Sequence, residues 1–88
     1  MVFNGLQNGD LILFNAILEM LDDDPRQWTP ISYMALAFRC NCHPNTVYTN
    51  IHNLLDYDLI RRRNGHRDRR CYEYQLTDEA IRQIEAGG

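Results

Sequence analysis

The ten residues Arg61-Arg62-Arg63-Asn64-Gly65-His66-Arg67-Asp68-Arg69-Arg70 hold six of the nine basic side chains of the chain. All nine are arginine, and lysine is absent. A guanidinium stays charged at every physiological pH and presents a planar fork of N–H donors that fits phosphate oxygens and guanine edges. The chemistry available here is anion recognition. The stretch straddles Asn64-Gly65, a dipeptide suited to the positive φ of a tight hairpin turn. The 88 residues carry a formal charge of −3, while six Arg and one Asp give this stretch +5, so the other 78 residues sum to −8. A basic hairpin on an otherwise acidic domain matches a polyanion such as double-stranded DNA.

A second group with binding chemistry lies upstream, on a segment where Val47, Ile51, Leu54 and Leu55 recur at helical spacing. With those side chains inward, Asn45, Tyr48, Thr49 and His52 share one exposed stripe that fits a major groove, and Thr46 lies in the same first turn. Asn can bond adenine bidentately, Thr can touch a thymine methyl or a phosphate, and Tyr or His can donate to phosphates or bases. Direct readout would lean toward A·T pairs. The stripe has no Arg or Lys, so affinity is expected from Arg61, Arg62, Arg63, Arg67, Arg69 and Arg70, bonding phosphates or entering a narrow minor groove. The plain alternative is that both groups are solvated faces, with the arginines paired to Asp22, Asp23 and Asp24.

Other chemistries fit less well. No Ser/His/Asp set, paired carboxylates or phosphate loop is present, so no enzyme is expected, and no cofactor. Cys40, Cys42, His43 and Cys71 are the right donor types for zinc. Cys71, however, lies out of phase with an inward Tyr72, so the sulfurs should not converge. The three aspartates lack the periodic oxygen ligands of a calcium loop. No metal is expected.

The elements that must position these groups are helices first and a hairpin late. Leu11, Phe14, Ile17, Leu18 and Leu21 predict a first helix with Asn8 as cap and Asp10 in its first turn, stopped by Asp22-Asp23-Asp24-Pro25. Thr29-Pro30 predicts a second from Pro30 to about Arg39, with Ile31, Met34, Ala35 and Phe38 inward and Trp28 packed at its flank. His43-Pro44 starts the third, which ends near Tyr57 or Asp58. Leu59-Ile60 opens a strand, and Tyr72, Tyr74 and Leu76 alternate with Glu73 and Gln75 in the return strand. Thr77 caps a last helix with Ala80, Ile81 and Ile84 on its apolar face and Gly87-Gly88 at its end.

From Ile31 to about Ile84 the chain resembles winged helix-turn-helix regulators of the broad MarR-like kind. Leu36-Ala37 looks like the Leu-Ala of the family's first motif helix, and Asn41 stands where the family usually has Gly, with Cys40 and Cys42 in flanking apolar slots. Pro44-Asn45-Thr46-Val47 resembles the opening of the recognition helix, Leu59-Ile60-Arg61-Arg62 the first wing strand, and Tyr74-Gln75-Leu76-Thr77 the end of the wing. Asp58 replaces the Gly expected after the recognition helix, a position where positive φ would strain it. The resemblance implies an α+β, mostly helical fold: a three-helix core, a two-stranded β-hairpin wing and a short C-terminal helix. It further implies a sequence-specific DNA-binding protein acting as a transcriptional regulator.

Residues 1–88, at 44% hydrophobic, suit one domain. No run of 18 apolar residues exists and Met1 to Asp10 lack the order of a secretion signal, so a cytoplasmic protein with no membrane contact is expected. The apolar faces of the first and last helices could pair two copies into a homodimer that reads a palindrome. The rival functions are a protein-interaction module binding an acidic partner, and nonspecific nucleic-acid binding in replication or a mobile element.

Overall fold

The computed structural model describes residues 6–21, 23–65 and 71–87. Helix α1 (Asn8–Leu21) turns Leu13, Phe14, Ala16, Ile17 and Leu21 inward, with Leu11 and Leu18 partly buried at its flanks. Asn8 lies inside the helix rather than capping it. The Gln7 backbone N–H donates to Asp10 Oδ2 at 3.2 Å, and the Leu11 N–H donates to the Gln7 carbonyl at 3.1 Å. Asp10, only 3% exposed, also accepts from Asn53 Nδ2 at 3.1 Å, which ties the start of α1 to the third helix. An acid in the first turn suits the helix dipole, and here the hydrogen bonds make its burial affordable.

Thr29-Pro30 does not start a helix. Thr29–Ile31 form strand β1, and helix α2 spans Tyr33–Cys40 with Ser32 as its cap, Ser32 Oγ accepting from the Ala35 N–H at 3.0 Å. Pairing with a neighbouring strand satisfies this backbone and buries Ile31, and Pro30 is tolerated because β1 is an edge strand. The shifted start rotates the helix. Leu36 and Ala37 face the core, whereas Met34 and Phe38, expected inward, are 68% and 90% exposed.

Helix α3 (Pro44–Asp56) is capped by His43, whose Nδ1 accepts from the Asn45 N–H at 3.0 Å. Its Val47, Ile51 and Leu54 are 0% exposed, as are Ile17 of α1 and Leu36 of α2. Full burial of each such side chain is worth roughly 1.5–3 kcal/mol. Strands β2 (Ile60–Asn64) and β3 (Tyr72–Leu76) follow, and helix α4 (Asp78–Gly87) closes the described chain. The sheet is antiparallel in the order β1-β3-β2, so the wing rests on three strands rather than the two expected. Thr77 caps α4 as predicted, its Oγ1 accepting from the Ala80 N–H at 3.0 Å.

Two residues adopt the left-handed conformation. Asn41, at φ 53°, turns the chain between α2 and α3, and the Cys42 N–H closes the helix end on the Ala37 carbonyl at 3.0 Å. Asp58, at φ 57°, does the same after α3, with the Leu59 N–H on the Leu54 carbonyl at 3.1 Å. The Asp58 carbonyl also accepts from Thr77 Oγ1 at 2.6 Å, so the strained corner is pinned to the start of α4. Relieving that strain with Asp58→Gly is expected to stabilise the fold by up to about 1 kcal/mol. In urea unfolding this appears as a higher midpoint at unchanged slope, and a lower midpoint would refute it.

Candidate nucleic-acid interface

The burial of Val47, Ile51 and Leu54 leaves Asn45, Thr46, Tyr48 and Thr49 exposed on α3, with Tyr48 at 54%. Three of the four stripe residues therefore lie open. Thr49 Oγ1 donates to the Asn45 carbonyl one turn earlier at 3.2 Å. His52 differs. It is half-buried, its ring sits 4.4 Å from that of Tyr48 at 61°, and its Nε2 is buried with no hydrogen-bond partner among the described residues.

Strand alternation divides the arginine run. Ile60 faces the core, so Arg62 lies on the helix side of the sheet while Arg61 and Arg63 point to the other face. On the helix side, Arg62 Nη1 donates to the Tyr33 hydroxyl at 3.0 Å, and its guanidinium lies 4.3 Å above the centre of the Tyr72 ring. The Tyr33 ring is 6.3 Å from that of Tyr48 on α3 and 6.2 Å from that of Tyr72 on β3. An aromatic cluster thus joins the start of α2, the exposed face of α3 and the base of the wing. Tyr74 lies beneath it, 0% exposed, and burial pushes its phenol far above the usual tyrosine range.

On the opposite face, Arg63 Nε donates to Glu73 Oε1 at 2.6 Å and its guanidinium covers the Trp28 ring at 4.5 Å. Glu73 alternates to the face opposite Tyr72 and Tyr74, as the strand pattern predicts, yet it is only 3% exposed on this face of the central strand. Trp28 packs at this sheet face rather than against α2. Arg61 is exposed beside Asp58, Asp78 and Glu79. Arg67, Arg69 and Arg70 lie outside the described residues, as does Asp22. Among the described residues, the Arg26 backbone N–H donates to Asp24 Oδ1 at 3.1 Å, and its guanidinium Nε pairs with Asp78 at 3.2 Å.

Sequence reasoning missed Tyr33 and the outer role of Tyr72. Tyr33 was hidden by the misplaced start of α2, and the signal that marks it is Ser32, a better cap than Thr29. Tyr72 was read as inward, which is right for its face, but it sits at the rim at 38% exposure. Cys40 and Cys42 are half-buried against the core, and burial followed by the nearby Cys42 pushes the Cys40 thiol up, away from thiolate chemistry. No group of three or more metal-ligand side chains comes together among the described residues, and no helix there is long and apolar enough to cross a membrane.

This geometry is that of a winged helix-turn-helix fold. Solved structures with the same architecture include the S. aureus MepR–DNA complex, at a TM-score of 0.71 and 21% identity over 93% of this chain and 61% of that one. The PcaV transcriptional regulator from Streptomyces coelicolor, in complex with its natural ligand, matches at 0.71 and 18% identity over 97% and 55%. YusO from Bacillus subtilis matches at 0.70 and 22% identity over 92% and 52%. These neighbours are MarR-family winged-helix regulators, so the resemblance drawn from the sequence holds at the level of the fold. The chain spans between 52% and 61% of their own length. No family model and no curated protein matches the chain in sequence.

Arg63, although its side chain stays 40% exposed, is engaged by Glu73 and Trp28. Arg63→Ala is expected to lower the unfolding free energy by about 1–2 kcal/mol and to change the emission of Trp28, through loss of the guanidinium on that ring and beside the buried Glu73. Trp28 is the sole tryptophan, so its fluorescence reports this site alone. Arg61→Ala should leave both readouts near wild type, and equal effects from the two substitutions would contradict the division by strand face.

Proposed function

We propose that this chain is a sequence-specific double-stranded DNA-binding protein and a transcriptional regulator, a binding protein rather than an enzyme. One observation carries the reading: the open face of α3, with Asn45, Thr46, Tyr48 and Thr49, adjoins Arg62 at the base of the wing. In this reading α3 enters the major groove, His52 orients Tyr48 from behind, and the wing arginines follow the backbone or the adjacent minor groove. Arg67, Arg69 and Arg70 would supply most of the counterion release. The likeness to a regulator solved on DNA supports the proposal. The site of action that goes with it is the cytoplasm.

Two-fold pairing is part of the proposal. Ile12 on α1 is 56% exposed, and Ile81 and Ile84 on α4 are only partly buried, so these helices offer apolar surface to a second copy. A selection on random duplexes tests specificity and symmetry together: the expected outcome is one A·T-leaning consensus with two half-sites.

Asn45→Ala and Thr49→Ala should each alter preference at one or two base pairs. Removing Arg67, Arg69 and Arg70 together should weaken binding to every duplex and flatten the plot of log affinity against log salt by about 0.9 per lost phosphate contact. Equal affinity for all duplexes would leave nonspecific binding, and binding to an acidic protein but to no duplex would leave an interaction module.

A further inference from the structure

The aromatic cluster around Arg62 has a geometry that the general reading does not use. The guanidinium is fixed on two sides, by the Tyr33 hydroxyl at 3.0 Å and by the Tyr72 ring at 4.3 Å. No carboxylate among the described residues pairs with it, in contrast to Arg63, which is held by Glu73. Tyr74 beneath it stays a neutral phenol because it is buried, so no phenolate neutralises Arg62 from below. The charge is therefore positioned, with no carboxylate partner among the described residues.

The hydrogen-bonding capacity left over is dominated by donors. Beyond the bond to Tyr33, Arg62 has further N–H donors, and Tyr33, having accepted one, keeps its own O–H to donate. Tyr48, at 54% exposure on α3, adds a third hydroxyl near the same seam, its ring 6.3 Å from that of Tyr33. A donor-rich set around a fixed cation fits an anion with several acceptor oxygens.

We propose that Arg62 is a preformed clamp for one backbone phosphate at the seam between α3 and the wing, and that Tyr33 and Tyr72 are positioning residues that hold its plane. The proposal rests on the DNA-binding reading above. It adds that the contact is directional: a charge at this place does not suffice without the planar fork and its two supports. Stacking and the phenol bond restrict the arginine before DNA arrives, so less side-chain freedom is lost on binding.

The test measures affinity and its salt slope on a duplex recovered by the selection, together with the unfolding midpoint of each variant. Arg62→Lys keeps the charge but not the fork, and is expected to weaken binding about tenfold at unchanged salt slope. Arg62→Ala should weaken it further and flatten the slope by about 0.9. Tyr33→Phe keeps the ring and its packing, and should weaken binding about fivefold with slope and midpoint unchanged. That pattern separates positioning from packing, which would move the midpoint instead. Wild-type binding by Arg62→Lys or by Tyr33→Phe overturns the clamp while leaving DNA binding intact. Failure of the unaltered chain to bind any duplex overturns both.

Discussion

Everything at the interface depends on the burial of one apolar stripe. Val47, Ile51 and Leu54 are sealed against α1, α2 and the sheet, and because a helix is rigid, fixing one side fixes the other. Asn45, Thr46, Tyr48 and Thr49 are outward for that reason alone. They need no contacts of their own to be presented. The same packing sets how far the polar stripe extends: its first two turns are open, while His52 settles against Tyr48 and is half covered.

The second constraint is the alternation of the sheet. A run of three arginines in a strand cannot act as one patch, since neighbours point to opposite faces. Arg62 meets the tyrosines next to α3, while Arg63 is drawn into a contact with Trp28 and the buried carboxylate of Glu73. Neighbouring arginines thus take different partners, Arg62 two tyrosines and Arg63 a carboxylate and an indole. The pairing of β1 with β3 makes this possible, because it turns β3 into a central strand and brings Trp28 alongside.

Two left-handed corners set the angles between these parts. Asn41 permits the sharp turn from α2 to α3 at little cost, as its short amide side chain tolerates positive φ. Asp58 makes the corresponding turn from α3 into the wing, and the bond from Thr77 to its carbonyl holds it there. The wing base is thereby locked to the end of α3. Arg62 and Tyr48 can then share one neighbour, Tyr33, although they come from different elements.

Periodicity and caps sufficed to read α1, α3, the two wing strands and α4, and with them the polar stripe of α3 and the basic character of the wing. Those features are local: a helical repeat of Val47, Ile51 and Leu54, a Pro after His43, a Thr before Asp78. The start of α2 was misread because Thr29-Pro30 is a sound local signal that lost to a nonlocal one, the hydrogen bonds and burial that Thr29–Ile31 gain beside β3. That shift concealed Tyr33 and the exposed Met34 and Phe38. The residue types and their order thus determined the kind of fold and the charges it carries. Tertiary structure decided which partners each arginine takes, because strand partners and ring contacts are made between residues far apart in the chain, and no local pattern records them.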